Sequence, residues 1–277
     1  MKFAICNETF QDWPLQRGLA FAAQCGYTGV EIAPFTIAPY AQDISARRRE
    51  AIRRQIAAAG LETVGLHWLL AKTAGLHLTS PDADVRGRTA RYFAELARLC
   101  ADLGGRILVL GSPAQRTLAP GVTRQQGLQY AAEVLTAALP VLEETDVLVA
   151  IEPLTAAETN FLLTAVEAVE LIERIGAPQV RLHLDCKAMA AEAIPLPELI
   201  AAHHALLAHF HANDPNRQGP GFGDLDFRPI FAALGAVDYR GWVSVEVFDF
   251  SPGAEETARM SYATLRGELD NALATGG

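Results

Sequence analysis

Residues 182–189, LHLDCKAM, start as an apolar strand and end it on a carboxylate, Asp185. Strands buried on both faces read as short apolar runs. A carboxylate closing such a run needs a partner or a task, because a bare buried charge is costly. The pattern recurs along the chain. LVAIEPL carries Glu152 at its end, LAHFHAND carries His211 and WVSVEVF carries Glu246. The four residues are spaced by 33, 26 and 35 positions, and each gap holds one helix with its loops.

Working outward, four more strands precede these: KFAIC, GVEIA, ETVGLHW and RILVLG. Amphipathic stretches alternate with them. LQRGLAFAAQCG and ARRREAIRRQIAAAG both stop on glycine, a common helix C-terminal signal. Eight alternating units over the chain predict a (β/α)8 TIM barrel, with residues 1–277 as a single domain. The structural alternative is an open doubly wound sheet, but no GxGxxG follows the first strand. In a barrel, the C-terminal strand ends converge on one mouth and carry the chemistry.

Composition narrows the classes of partner. Half of the 277 residues are hydrophobic, 20% are charged and the net charge is -9. That balance disfavours nucleic acid and anionic membrane, which seek positive charge, and favours a small-molecule ligand. No apolar run approaches the roughly 20 residues that span a bilayer. MKFAICNETF lacks the apolar core of a secretory signal, and Cys6, Cys25, Cys100 and Cys186 form no CxxC pair. Reduced thiols and a cytoplasmic setting are the expectation.

Three carboxylates and one imidazole suit a divalent ion of the harder kind, Mn²⁺ or Mg²⁺ before Zn²⁺, since oxygen donors dominate. Such an ion could hold two adjacent sugar oxygens and stabilise an enediolate. Other residues share the expected mouth. His183 and His209 each precede a proposed ligand by two positions and point the same way. They read as core or ligand-orienting histidines. His67 ends the third strand and could reach the pocket, with Trp68 as an apolar wall, and Glu31 ends the second. His203 and His204 read as surface residues of a helix. The glycine-rich RQGPGFGDLDF lacks the GxxxxGK[ST] phosphate-loop pattern.

In their order and strand positions, GYTGVEI, IEPLTAAETNF, HLDCKAM, HFHANDPNRQGPGFGDLDF and VSVEVF form a series. Through it the chain resembles the sugar phosphate isomerase/epimerase family of xylose isomerase-like barrels, most of all its ketose 3-epimerase and hydroxypyruvate isomerase branches. The resemblance implies one divalent metal ion, Mn²⁺ first with Mg²⁺, Co²⁺ or Zn²⁺ as alternatives, bound by Glu152, Asp185, His211 and Glu246. It implies that Glu152 and Glu246 move a proton next to a carbonyl through a cis-enediolate, on a small sugar-like substrate. Glu158 and Arg217 match substrate-binding positions, and a homodimer or homotetramer is common among relatives. Two departures stand out. A family histidine that contacts substrate is Ala188 here, preceded by Lys187, and an Asn-Arg pair is replaced by Thr155 and Ala156. Lys187 could hold an anionic group in compensation. The same barrel also serves inosose- and dehydroshikimate-type dehydratases, for which His67 or Lys187 would have to protonate the leaving hydroxyl. An endonuclease of this fold would need more histidine ligands and a basic surface, and a non-catalytic sugar binder would not need all four ligands.

Overall fold

The apolar runs rich in Val, Ile and Leu form the strands, and the amphipathic stretches between them form the helices. The computed structural model describes residues 1–275. Its strands are β1 (Lys2–Cys6), β2 (Gly29–Ile32), β3 (Glu62–Leu66), β4 (Ile107–Leu110), β5 (Leu148–Ile151), β6 (Val180–Asp185), β7 (Leu207–Ala212) and β8 (Trp242–Val245). All pair in parallel in chain order, and β1 returns to β8, closing the barrel. The helices that cover it are α1 (Leu15–Cys25), α2 (Ala46–Ala58), α3 (Ala83–Leu103), α4 (Arg124–Thr145), α5 (Ala165–Ile175), α6 (Cys186–Met189), α7 (Leu196–His203), α8 (Arg228–Ala236) and α9 (Ala254–Thr275).

Local signals set the helix ends. Gly26 caps α1 with φ 111°, a conformation that costs glycine little. The second glycine stop falls one place beyond the cap: Ala59 caps α2, and Gly60 follows with φ 77°. Thr123 and Gln126 form a reciprocal capping box that starts α4. One helix was not foreseen. In CKAM the chain turns straight from β6 into α6, because the Asp185 carboxylate accepts the Ala188 N–H and caps it.

Alternation along each strand sorts side chains into two sets. Outward residues such as Leu108, Leu110, Val149, Ile151, Leu182 and Leu184 join the large core beneath the helices. Inward residues Ala4, Val64, Ile107, Val109 and Ala150 form a small apolar plug inside the barrel. Toward the C-terminal strand ends the inward set turns polar: Cys6, Glu152, His211 and Glu246 are all buried. Two register shifts interrupt the ladder, between Val30 and Glu31 opposite β3 and between Leu182 and His183 opposite β7. Each skips one residue, Val64 on β3 or Ala208 on β7, so that Glu31 pairs with Gly65 and His183 with His209.

Candidate active site

The polar inward set gathers at the C-terminal end of the barrel. Asp185 is the last residue of β6 and pairs in register with His211 on β7. Glu152 and Glu246 lie one residue beyond β5 and β8, three strands apart around the sheet. Donor atoms of Glu152, His183, Asp185 and His211 lie within 4.8 Å of one another. This tight group takes His183 where the sequence reading had Glu246. Glu246 sits on the other side of the ring, with its Oε2 3.0 Å from His211 Nδ1. Both nitrogens of His183 are fully buried and lack a hydrogen-bond partner among the described residues. The donor set fits a divalent cation: buried carboxylates converge with an imidazole, and the carboxylates would be relieved by positive charge.

Electrostatics support that fit. Burial, then the charges of Glu246 and Asp185, drives the Glu152 carboxyl well above the usual carboxylate range. Burial, with Glu246 adding to it, also raises Asp185. Burial works against the charge of Glu246 as well, but His211 outweighs it and brings that carboxyl below its ordinary value. His211 lies between two carboxylates. Its Nε2 is 3.2 Å from both oxygens of Glu31, and these with Glu246 outweigh burial and hold the imidazolium well above its usual range. Glu31 also bonds His209 Nε2 at 2.6 Å. His209 and Glu31 therefore orient His211 from below.

Backbone packing places the remaining groups. A Cβ at Gly111, just past β4, would overlap Glu152 Oε2, so glycine there makes the space the carboxylate occupies. His67 follows β3 and its Nε2 lies 2.6 Å from Glu8 Oε2. Lys187 Nζ lies 2.7 Å from Glu158 Oε1 and 4.2 Å above the Phe248 ring. Burial opposes charge on Glu158, but Lys187 prevails and lowers its carboxyl from the ordinary value. Arg217 adopts φ 75° and is fixed through its backbone: its carbonyl accepts the Phe248 and Asp249 amides, each at 2.9 Å. Trp68, beside His67, adopts φ 53°. Left-handed backbone at two non-glycine residues costs about 1–3 kcal/mol each and clusters at functional sites.

These residues enclose a chamber of about 220 Å³ at the barrel mouth, walled by His67, Trp68, Glu152, Glu158, Glu246 and Phe248, with Arg217 at its edge. The model of the xylose isomerase-like TIM barrel matches residues 19–266. The chain belongs to that family. Within it, the chain is 30% identical over 190 residues to a probable ketose 3-epimerase of Synechocystis sp.. That match covers 64% of this chain and 62% of the relative, so it spans less than two thirds of the relative's length. A putative hydroxypyruvate isomerase of Streptomyces coelicolor is 25% identical over 265 residues, covering 90% of each chain. The solved structure of an L-ribulose 3-epimerase superposes with a TM-score of 0.86 at 22% identity, covering 100% of this chain and 97% of the other.

Against the family pattern, Ala188 keeps a use through its backbone, donating to Asp185 Oδ1 at 2.8 Å. Sequence reasoning missed Asn213, whose Nδ2 donates to Asp185 Oδ2 at 2.6 Å and whose Oδ1 accepts the Lys187 amide. The signal was present: 209, 211 and 213 share one face. It also missed Glu8, just past β1, and Arg116. The Arg116 guanidinium is fully buried, and its Nη1 donates to the Glu152 carbonyl at 2.6 Å. Burial, opposed by Glu152 and Glu158, brings it down to about 10. His203 and His204, as expected, stay out of the site. All four cysteines are free thiols. Among the described residues, no helix is long and apolar enough to cross a membrane.

Proposed function

We propose that this protein is a divalent-metal-dependent sugar epimerase or isomerase. It moves a proton on a carbon beside the carbonyl of a small ketose or hydroxy-keto acid, through a cis-enediolate. The observation that carries this reading is the pair of buried glutamates, Glu152 and Glu246, on one chamber of about 220 Å³ beside Asp185 and His211. Glu152, Asp185, His211 and Glu246 would hold the ion, Mn²⁺ first, with Mg²⁺, Co²⁺ or Zn²⁺ as alternatives. When bound, it would polarise the carbonyl and stabilise charge on the adjacent oxygens.

The proton steps belong to the chain. One glutamate takes the proton from carbon and the other returns one, which is general acid–base transfer within hydrogen-bond reach. Return to the opposite face of the same carbon inverts it, whereas return to the neighbouring carbon interconverts ketose and aldose. Without a metal, burial and neighbouring carboxylates raise Glu152 while His211 lowers Glu246. Glu158, fixed by Lys187 and Thr155, and Arg217 would bind substrate hydroxyls at the rim. Trp68 and Phe248 would exclude water. The dehydratase alternative gains no specific support, because Lys187 is engaged by Glu158 and His67 by Glu8.

The test is solvent deuterium incorporation followed by NMR, on free ketoses, phosphorylated ketoses, hydroxypyruvate and inosose, with Mn²⁺ and with a chelated control. Metal-dependent label beside the carbonyl is expected, lost in Glu152→Gln and Glu246→Gln. Loss of water in place of exchange would overturn the reading in favour of a lyase.

A further inference from the structure

The donors described above stand at or just past the ends of β5 to β8. The opposite half of the mouth holds a group of its own. Cys6 ends β1 and pairs in register with Glu31 on β2, and His67 follows β3. Ligand atoms of Cys6, Glu31 and His67 all lie within 4.8 Å of one another. The three residues are fully buried. They share no member with Glu152, Asp185, His211 and Glu246.

The two ring nitrogens of His67 show how it is aimed. Nε2 lies 2.6 Å from Glu8 Oε2. Nδ1 is buried, has no hydrogen-bond partner among the described residues and lies 3.8 Å from Glu31 Oε2. A buried polar nitrogen ordinarily has a partner, so Nδ1, facing Glu31, is free to take a ligand. A carboxylate on one imidazole nitrogen and a cation on the other is the usual arrangement around metal-binding histidines, because the carboxylate fixes the ring and raises its basicity. His67 also groups with Glu8 and Glu246, but on that side its contact with Glu8 already satisfies it. Glu31 is fixed in turn by His209 Nε2 at 2.6 Å.

One sulfur, one nitrogen and one oxygen donor form a softer set than the carboxylate-rich group at β5 to β8. Such a set favours Zn²⁺ or Co²⁺ over Mn²⁺ or Mg²⁺, and three protein ligands leave the fourth tetrahedral position to water. We propose that Cys6, Glu31 and His67 form a second divalent-cation site, selective for Zn²⁺, that joins the ends of β1, β2 and β3. It goes beyond the proposed function and stands without it, since it borrows none of the four ligands named there. On binding, the thiol gives its proton to solvent and a metal–sulfur bond forms. Linking three neighbouring strands, the cation staples the half of the barrel that the other ion does not reach.

Co²⁺ serves as the probe, because a bound thiolate adds a sulfur-to-metal charge-transfer absorption that oxygen and nitrogen donors do not. The full chain is equilibrated with Co²⁺ and dialysed, and the retained metal is counted by mass spectrometry. The parent protein should show the charge-transfer band, and Asp185→Asn should keep it while losing the metal of the other set. Cys6→Ser should lose the band, and Cys25→Ser, whose thiol is partly exposed, should keep it. In Zn²⁺ titrations of the Asp185→Asn chain, adding Glu8→Gln should weaken binding by about 10- to 100-fold. Should Cys6→Ser fail to fold, X-ray absorption decides, on a Zn²⁺-loaded chain carrying both Asp185→Asn and Cys25→Ser. One sulfur neighbour at about 2.3 Å is expected there. No band in the parent, a band that survives Cys6→Ser, or zinc bound without sulfur would each overturn the proposal. A chain that shows the band yet binds no Mn²⁺ supports this site and counts against the proposed function alone.

Discussion

Single atoms decide where the candidate acid and base stand. The missing Cβ of Gly111 leaves room for Glu152 Oε2, so Gly111→Ala must push that carboxylate aside. A displacement of about 1 Å at a reacting group can cost roughly 100-fold in rate. Deuterium exchange by Gly111→Ala should fall by about that factor while its melting transition stays close to that of the parent protein. Glu31 acts differently, because it is the shared partner of two buried histidines. Removing one side of a buried ion pair costs about 3–5 kcal/mol, so Glu31→Ala should lose stability on that scale in urea titration of the metal-free chain. The pH dependence has a definite sign. Burial opposes the charge of Glu31, but His209 and His211 hold its carboxyl well below the ordinary range. Its contribution is therefore present above the unfolded value of about 4.3 and lost as pH falls through the depressed folded value. The raised His211 contributes fully below about 6.5 and loses that contribution as pH rises through its folded value. The parent protein should thus lose more stability than Glu31→Ala does at both the acid and the alkaline end.

Elements carry these atoms with different degrees of visibility in the sequence. The strands announce themselves as apolar runs, and their terminal acids and histidine are legible because nothing in a core explains them. The two register shifts are not legible, since the skipped Val64 and Ala208 look like any strand residue. They change the partners that Glu31 and His183 face on the neighbouring strands. Asn213 and Ala188 support Asp185 through bonds that only the folded turn creates. The glycine-rich loop after β7 is likewise organised by side chains, Asn216 and Asp214. Asp214 accepts the Gly221 amide at 2.9 Å and the Leu225 amide at 3.1 Å, and its own N–H donates to the Gln218 carbonyl. Hydrogen bonds to a charged group contribute about 1.5–3 kcal/mol. Asp214→Ala should release the loop, which limited proteolysis between residues 214 and 225 would detect, and should raise KM more than it lowers kcat.

At the scale of the molecule, the barrel was readable from eight repeating units, and a buried group of His, Glu and Asp side chains that could hold a metal was signalled by the strand ends. A cation bound as proposed would tie those strand ends together and not the unfolded chain. Mn²⁺ at a hundredfold excess over its Kd should therefore stabilise the fold by about 2.7 kcal/mol, seen as a rise in melting temperature that Asp185→Asn abolishes. The bond between Glu31 and His211 joins residues 180 positions apart, and Glu246 stands just past the last strand. During synthesis, the ribosome therefore releases Glu31 long before His211 exists, and Glu246 later still. If Glu246 completes the proposed donor set, no shorter nascent chain would hold all of it before β8 docks against β1. Metal capture, on the proposed function, would then report closure of the barrel.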